Sequence, residues 1–184
     1  MTRSVPPELR TARLLLRSWQ PTDAASLLSL LESNATRLAP WLPAHVADPA
    51  PLPQLAERLA GYASDFEHHR AYRYALIALD RTRLIGGVQL FPRADSGRVP
   101  LSEGDRVELG YWLDASATGH GLVTEAARAL LDVARELPRM MHAEIHCDAG
   151  NERSAAVPRR LGFHLETVEH SIQVWQLPFT QATR

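Results

Sequence analysis

The chain has 184 residues, 45% of them hydrophobic and 22% charged, with a formal net charge of −1; this suits one compact domain, and the charge balance excludes the basic excess of a protein that coats DNA or polyphosphate, leaving room only for a local basic patch. One cysteine, Cys147, excludes an internal disulfide and a thiolate metal cluster. All 20 Lys+Arg positions are arginine, which excludes Schiff-base lysine and P-loop lysine chemistry.

Met1 to Arg10 is polar and proline-bearing, without an apolar stretch of signal-peptide length. No run approaches the roughly 20 apolar residues that span a bilayer, so a cytoplasmic protein is expected. Thr11 to Trp19 reads as a first strand, with Leu14 and Leu16 on one face and Arg13 and Arg17 on the other. Pro21-Thr22-Asp23 signals a helix start capped by Thr22 or Asp23, and the leucines at 27, 28, 30 and 31 mark a helical face. Asn34 to Pro53 is a proline-braced loop whose Trp41 and Leu42 either cover a pocket or anchor to the core. Leu52 to His69 is a second helix, ending in an exposed His68-His69-Arg70 whose positive charge suits the helix dipole.

Tyr74–Leu79 and Leu84–Phe91 form a strand pair about the turn Asp80-Arg81-Thr82-Arg83. Arg93 to Asp105 reads as a polar loop and Val107 to Leu113 as another strand. Thr124 to Leu137 is a helix with Ala127, Leu130, Leu131 and Ala134 on one side. Met140–Cys147 is a strand, Asn151–Leu161 a short helix, and Phe163–Val168 and Ile172–Leu177 the closing strands. Only about four residues, from Glu169, link the last two. Either that hairpin is tight or the final strand pairs elsewhere, for example across a homodimer. The order implies a single α+β domain over residues 1–184, with a mixed sheet of about seven strands flanked by about four helices.

The strongest local signal is VELGYWLDASATGHGLVTEA, Val107 to Ala126. A strand enters a short polar loop, two glycines sit two apart, and a helix follows. Glycines let successive N–H groups converge, and the helix start adds unpaired donors and the positive dipole end. By itself the pattern reads either as a plain strand-to-helix turn or as an anion cradle fit for a diphosphate. It is neither the GxGxxG fingerprint, since Thr124 stands three beyond Gly121, nor a P-loop.

These residues, with Asn151-x-x-Ser154 and Arg159-Arg160-Leu161-Gly162-Phe163, resemble the GCN5-related N-acetyltransferase superfamily, and most closely its RimJ/RimL-like branch of ribosomal-protein N-acetyltransferases. The likeness covers most of the chain and is motif-rich over 107–163. It implies an acetyl-CoA cosubstrate without metal, a diphosphate on the loop Thr118, Gly119, His120, Gly121, Leu122 and Val123, and a pantetheine arm along Trp112 and Leu113. Asn151 would bond the pantetheine region; Glu108 would be the general base, or else a strand-end carboxylate paired to an arginine such as Arg106 or Arg73; and Ser154 would protonate the leaving thiolate, or else be an ordinary helix-start hydroxyl. The acceptor is a primary amine, on a protein N-terminus or a small molecule; no nucleic acid or membrane partner is implied. The branch favours Lys or Arg between the glycines, where His120 stands here, so His120→Arg is expected to tighten coenzyme binding.

Glu125 reads as a first-turn carboxylate complementing the dipole or as a substrate contact. His142, Glu144 and His146 share one strand face, but residues two apart lie roughly 7 Å apart and cannot readily close on one ion, so a polar sheet face is the plain reading. Cys147, on the other face, reads as a small core residue. Trp19, Trp41 and the Asn34–Pro53 loop are candidate determinants of acceptor choice. A non-catalytic acyl-CoA-binding module on the same fold is the alternative function.

Overall fold

The computed structural model describes residues 4–80 and 82–179; Arg81, in the expected 80–83 turn, lies outside them. Nine strands form one sheet: β1 (Glu8–Arg10), β2 (Leu14–Ser18), β3 (Tyr72–Ala78), β4 (Arg83–Ala94), β5 (Gly97–Arg98), β6 (Arg106–Leu113), β7 (His142–Asp148), β8 (His164–Glu169) and β9 (Ile172–Pro178). Their order is β1-β2-β3-β4-β6-β7-β9-β8, with β5 folded back on β4. Among the described residues only β6 and β7 run parallel, and the crossover between them carries a helix, as parallel strands require. The helices are α1 (Ala24–Leu38), α2 (Ala44–Ala47), α3 (Leu52–Glu67), α4 (Leu122–Arg135) and α5 (Glu152–Leu161).

Alternation along β6 divides the core. Val107 and Leu109, with Ala143 and Ile145 of β7, face the apolar stripe of α4, where Ala126, Ala127, Leu130, Leu131 and Ala134 are buried. Trp112, on the opposite face, packs with Ala75 and with the leucines of α1 and α3. Among the described residues that second cluster includes no residue of β7, and beyond it Glu108 and His146 of the same face line a cleft.

Several expected boundaries shift for physical reasons. α1 runs on to Leu38, into what reads as loop, because Asn34 has buried hydrogen-bond partners. Asp23 does not cap α1 through its side chain; its carboxylate accepts the Gln20 N–H at 2.9 Å and pairs with Arg17 at 2.6 Å. The 93–105 segment is not all loop: β5 turns back on Arg93 and Ala94. β8 and β9 form a tight hairpin, with His170 and Ser171 at φ 49° and 68°, a twist matched to antiparallel strands. β9 also pairs along the whole of β7. Among the described residues nine strands and five helices replace about seven and four, because β1, β5 and α2 are too short to show a periodicity.

Candidate active site

β6 and β7 are paired from Arg106↔His142 to Leu109↔Ile145, and then they part. Asp114 N–H bonds Ile85 O at 2.7 Å on the β4 side. Alternation therefore turns the backbone groups of Tyr111 and Leu113 into the gap. The gap opens into a cleft of about 1360 Å³ lined by β6, β7 and the starts of α4 and α5. Trp112 itself is buried in the α1–α3 core, and the Leu113 carbonyl accepts a hydrogen bond from Arg37.

The glycine loop stands at one end of this gap. Gly119 and Gly121 have φ of 84° and 74°, and Gly121 starts α4 in the left-handed conformation. The helix begins at Leu122, and its first backbone bond runs from Glu125 N–H to Gly121 O at 3.0 Å. Among the described residues no backbone acceptor takes the N–H groups from Gly119 through Thr124, so they remain available as a row of donors. Thr118 is tied down by its Oγ1 donating to Ala115 O at 2.8 Å. His120 is exposed and its side chain is not part of the cleft wall. Its carbonyl matters instead, accepting from Arg13 Nη1 at 2.9 Å.

Arg13 belongs to a clasp that sequence reasoning missed. Glu125 accepts from Arg13 Nε at 2.7 Å, from Arg13 N–H at 2.9 Å and from Thr11 Oγ1 at 2.5 Å. Burial alone would raise the Glu125 pKa, but Thr11 and Arg13 hold it below the ordinary value. The first-turn carboxylate thus serves mainly to bind the β1–β2 turn to the loop.

A second network fixes the end of β6. Asn34, 2% exposed, donates to Asp114 Oδ1 and to Leu30 O, each at 2.9 Å. It accepts from Ala115 N–H and from Arg37 Nη2, each at 2.9 Å. Asp114 also accepts from Ser116 at 2.6 Å and from Arg83 at 2.8 Å. These donors outweigh its burial and hold its carboxyl well below the usual carboxylate range.

On the α4–α5 side of the gap, Asn151 caps α5 by accepting from Ser154 N–H at 3.1 Å. Pro158 lacks the N–H that would bond the Ser154 carbonyl four residues back, and Tyr111 Oη donates to that carbonyl at 3.0 Å instead. The Ser154 hydroxyl then lies 3.4 Å from Tyr111 Oη. Cys147 is buried and its thiol pKa is raised by burial, as suits a core residue.

On the other side, Glu108 is buried and bonded to Arg98 at 2.7 Å and to Arg93. Arg98 stacks on Phe91 at 3.6 Å. Burial would raise the Glu108 pKa, but Arg98 and then Arg93 bring it below the ordinary value. A carboxylate so clamped is a weak proton acceptor at neutral pH. Glu144 lies between His146 Nε2 at 2.9 Å and His142 Nε2 at 3.1 Å, with Arg106 Nε at 3.2 Å. Against its burial these partners push its pKa down to about 2. Among the described residues no group of three His, Cys, Asp or Glu side chains is placed to hold a metal ion. Trp41 is exposed and lines the cleft, and Leu42 both packs on the α1–α3 core and lines the cleft, so it fills the two expected roles at once. Trp19 is buried in that core and does not line the cleft.

Glu108, Asp114 and Glu144 all have folded pKa values below their unfolded ones. Their contribution to stability is complete above the unfolded pKa and is lost as pH falls through the folded one. For Glu144 that window runs from 4.5 down to about 2. Denaturant unfolding across it should show stability falling with acid, and Glu144→Gln should flatten the slope.

An α+β sheet that parts beside a glycine-rich helix start forms a site for an extended, anionic ligand. The family description "Acetyltransferase (GNAT) domain" matches residues 13–164, and the chain belongs to that family as an N-acetyltransferase. It is 28% identical over 159 residues to the "Putative ribosomal N-acetyltransferase YdaF" of Bacillus subtilis (strain 168), covering 82% of this chain and 77% of that protein. Its fold is similar to the microcin C7 self-immunity acetyltransferase MccE in complex with acetyl-CoA and AMP, at 19% identity, TM-score 0.80, and coverage of 95% and 97% of the two chains. It is also similar to RimL, the ribosomal L7/L12 α-N-protein acetyltransferase in complex with coenzyme A, at 20% identity, TM-score 0.78, and coverage of 96% and 98%. No helix among the described residues is long and apolar enough to cross a membrane.

Proposed function

We propose that the cleft binds acetyl-CoA and brings it together with a primary amine, which attacks the thioester directly in a ternary complex. The observation that carries this reading is the parting of β6 from β7 after Leu109↔Ile145, continuous with the unpaired N–H groups of Gly119 to Thr124. That row suits a diphosphate, and the gap suits an extended arm bonded to the edge of β6 as an added strand. Arg128, Arg153 and Arg160 line the same cleft and make no ion pair with a described residue, which supports binding of a polyanion. Asn151 supports the arm from the opposite wall, and the Ser154 hydroxyl, beside Tyr111, protonates the departing sulfur. Glu108, held by Arg98 and Arg93, orders the sheet face that the amine approaches. The acceptor is a protein N-terminus or a small amine; RimL, as an α-N-protein acetyltransferase, supports the former.

Incubation with acetyl-CoA and a panel of N-terminal peptides and small amines, followed by thiol release, tests the proposal. Amine-dependent release is expected. Tight coenzyme A binding without release by any amine would favour the non-catalytic binding module.

A further inference from the structure

We infer that His146 is the proton acceptor for the incoming amine and that Glu144 is its positioning residue. This rests on the acetyl-transfer reading of the cleft. Ile145 is the last β7 residue paired with β6, so His146 is the first residue beyond the fork. It sits on the Glu108 face of the sheet and lines the cleft. The residue one step beyond the fork on β6 is Gly110, where a β-carbon would meet Gln89 Oε1 at 2.7 Å. Gly110 thus brings no side chain of its own opposite the imidazole; the Gln89 amide leans over it, and both residues line the cleft beside His146.

The ring is oriented by its partner. Glu144 is ionised and only accepts, so the 2.9 Å contact requires the proton on Nε2. In the neutral ring Nδ1 then carries the lone pair, and it has no partner among the described residues. Glu144 cannot swing away, because His142 and Arg106 hold its other oxygen at 3.1 and 3.2 Å. A base held by a buried, fixed carboxylate is an arrangement suited to proton transfer. The other charged groups around His146 are Asp148 on its own strand and Glu108 on β6, the latter carrying Arg93 and Arg98; its β9 neighbour is Val174.

Proton acceptor and proton donor stand on opposite faces of the gap, His146 on one and Ser154 with Tyr111 on the other. Nδ1 takes one proton from the acceptor ammonium and later gives it to water. The freed nitrogen bonds the thioester carbonyl carbon, and the carbon–sulfur bond breaks with its electron pair going to sulfur. The second amine proton reaches sulfur through the Ser154 hydroxyl, so amide and free thiol form with one proton released.

The test compares the parent, His146→Gln, His146→Ala and Glu144→Gln, using acetyl-CoA with the best amine of the panel. Glutamine keeps a donor for Glu144 and has no basic nitrogen. Expected for His146→Gln is a fall in kcat of about 100-fold or more, with coenzyme A affinity and unfolding midpoint unchanged; added imidazole restores part of the His146→Ala rate. Removing the Glu144 charge moves the rising limb of the kcat/KM pH profile to lower pH, since the imidazolium loses its counter-ion, and His146→Gln abolishes that limb. A kcat for His146→Gln within about threefold of the parent overturns the assignment. No turnover by the parent overturns the acetyl-transfer reading and this assignment with it.

Discussion

Replacing Gly86 by alanine is expected to destabilise the fold by about 3 kcal/mol or more and to weaken coenzyme A binding at least about tenfold. Gly86 has φ 151°, beside the irregularity where β3 and β4 lose register. A β-carbon there would lie 2.2 Å from the Trp112 carbonyl oxygen and 2.9 Å from Leu113 Cα. Both are backbone atoms, so no rotamer change relieves the clash; β4 and β6 must separate at Trp112 and Leu113, the stretch that borders the gap. Gly61→Ala is the control. Gly61 lies within α3 with nothing within 4 Å of an added β-carbon, so alanine there should stabilise by about 0.5–1 kcal/mol. Both substitutions restrict the unfolded chain alike, so their opposite signs in denaturant unfolding would report the folded state alone. Calorimetric titration with coenzyme A reads the second effect.

Asn34→Leu should cost about 3–4 kcal/mol although it places an apolar side chain of similar size in a buried site. Leucine fills the volume but strands Ala115 N–H, one oxygen of Asp114 and part of the Arg37 guanidinium. The loss should not add to that of Asp114→Asn, because the two residues share a network. A double-mutant cycle by denaturant unfolding checks this. Ala115 also begins the short helical turn that leads into the glycine loop, so coenzyme A affinity should fall with stability.

Much of this architecture was legible because strong periodicity stood next to strong motifs. The alternation of β6 and the stripe of α4 located both elements to within a few residues, and Gly119 and Gly121 marked the helix start. What was illegible depended on distant partners. Asn34 was detectable in part: it occupies a buried position on the stripe of Leu27, Leu31 and Leu38, where a polar residue signals a hidden partner. Its partner, Asp114, is 80 positions away. Glu108 reads as a base from its place beside the site, but the two arginines that clamp it come from β4 and β5, and β5 spans only two residues. His142, Glu144 and His146 were visible as a set; only the fork after Ile145 distinguishes His146 from His142. Pro158 was a readable clue to Tyr111, since a proline inside a helix frees a carbonyl four residues earlier.

The clasp between Arg13 and Glu125 joins residues 112 positions apart. The geometry of the glycine loop is therefore not a local property of the stretch that encodes it: a peptide spanning β6 to α4 would carry the glycines without the brace that fixes the His120 carbonyl. The loop should therefore take its full geometry only once the amino-terminal strand has docked, a contact of large sequence separation and large closure entropy. Conversely, a polyanion seated there gains affinity only for the fully assembled chain, so its binding should slow amide exchange in β2 as well as in α4. Recognition of the coenzyme would in this way act as a check that both ends of the domain have come together.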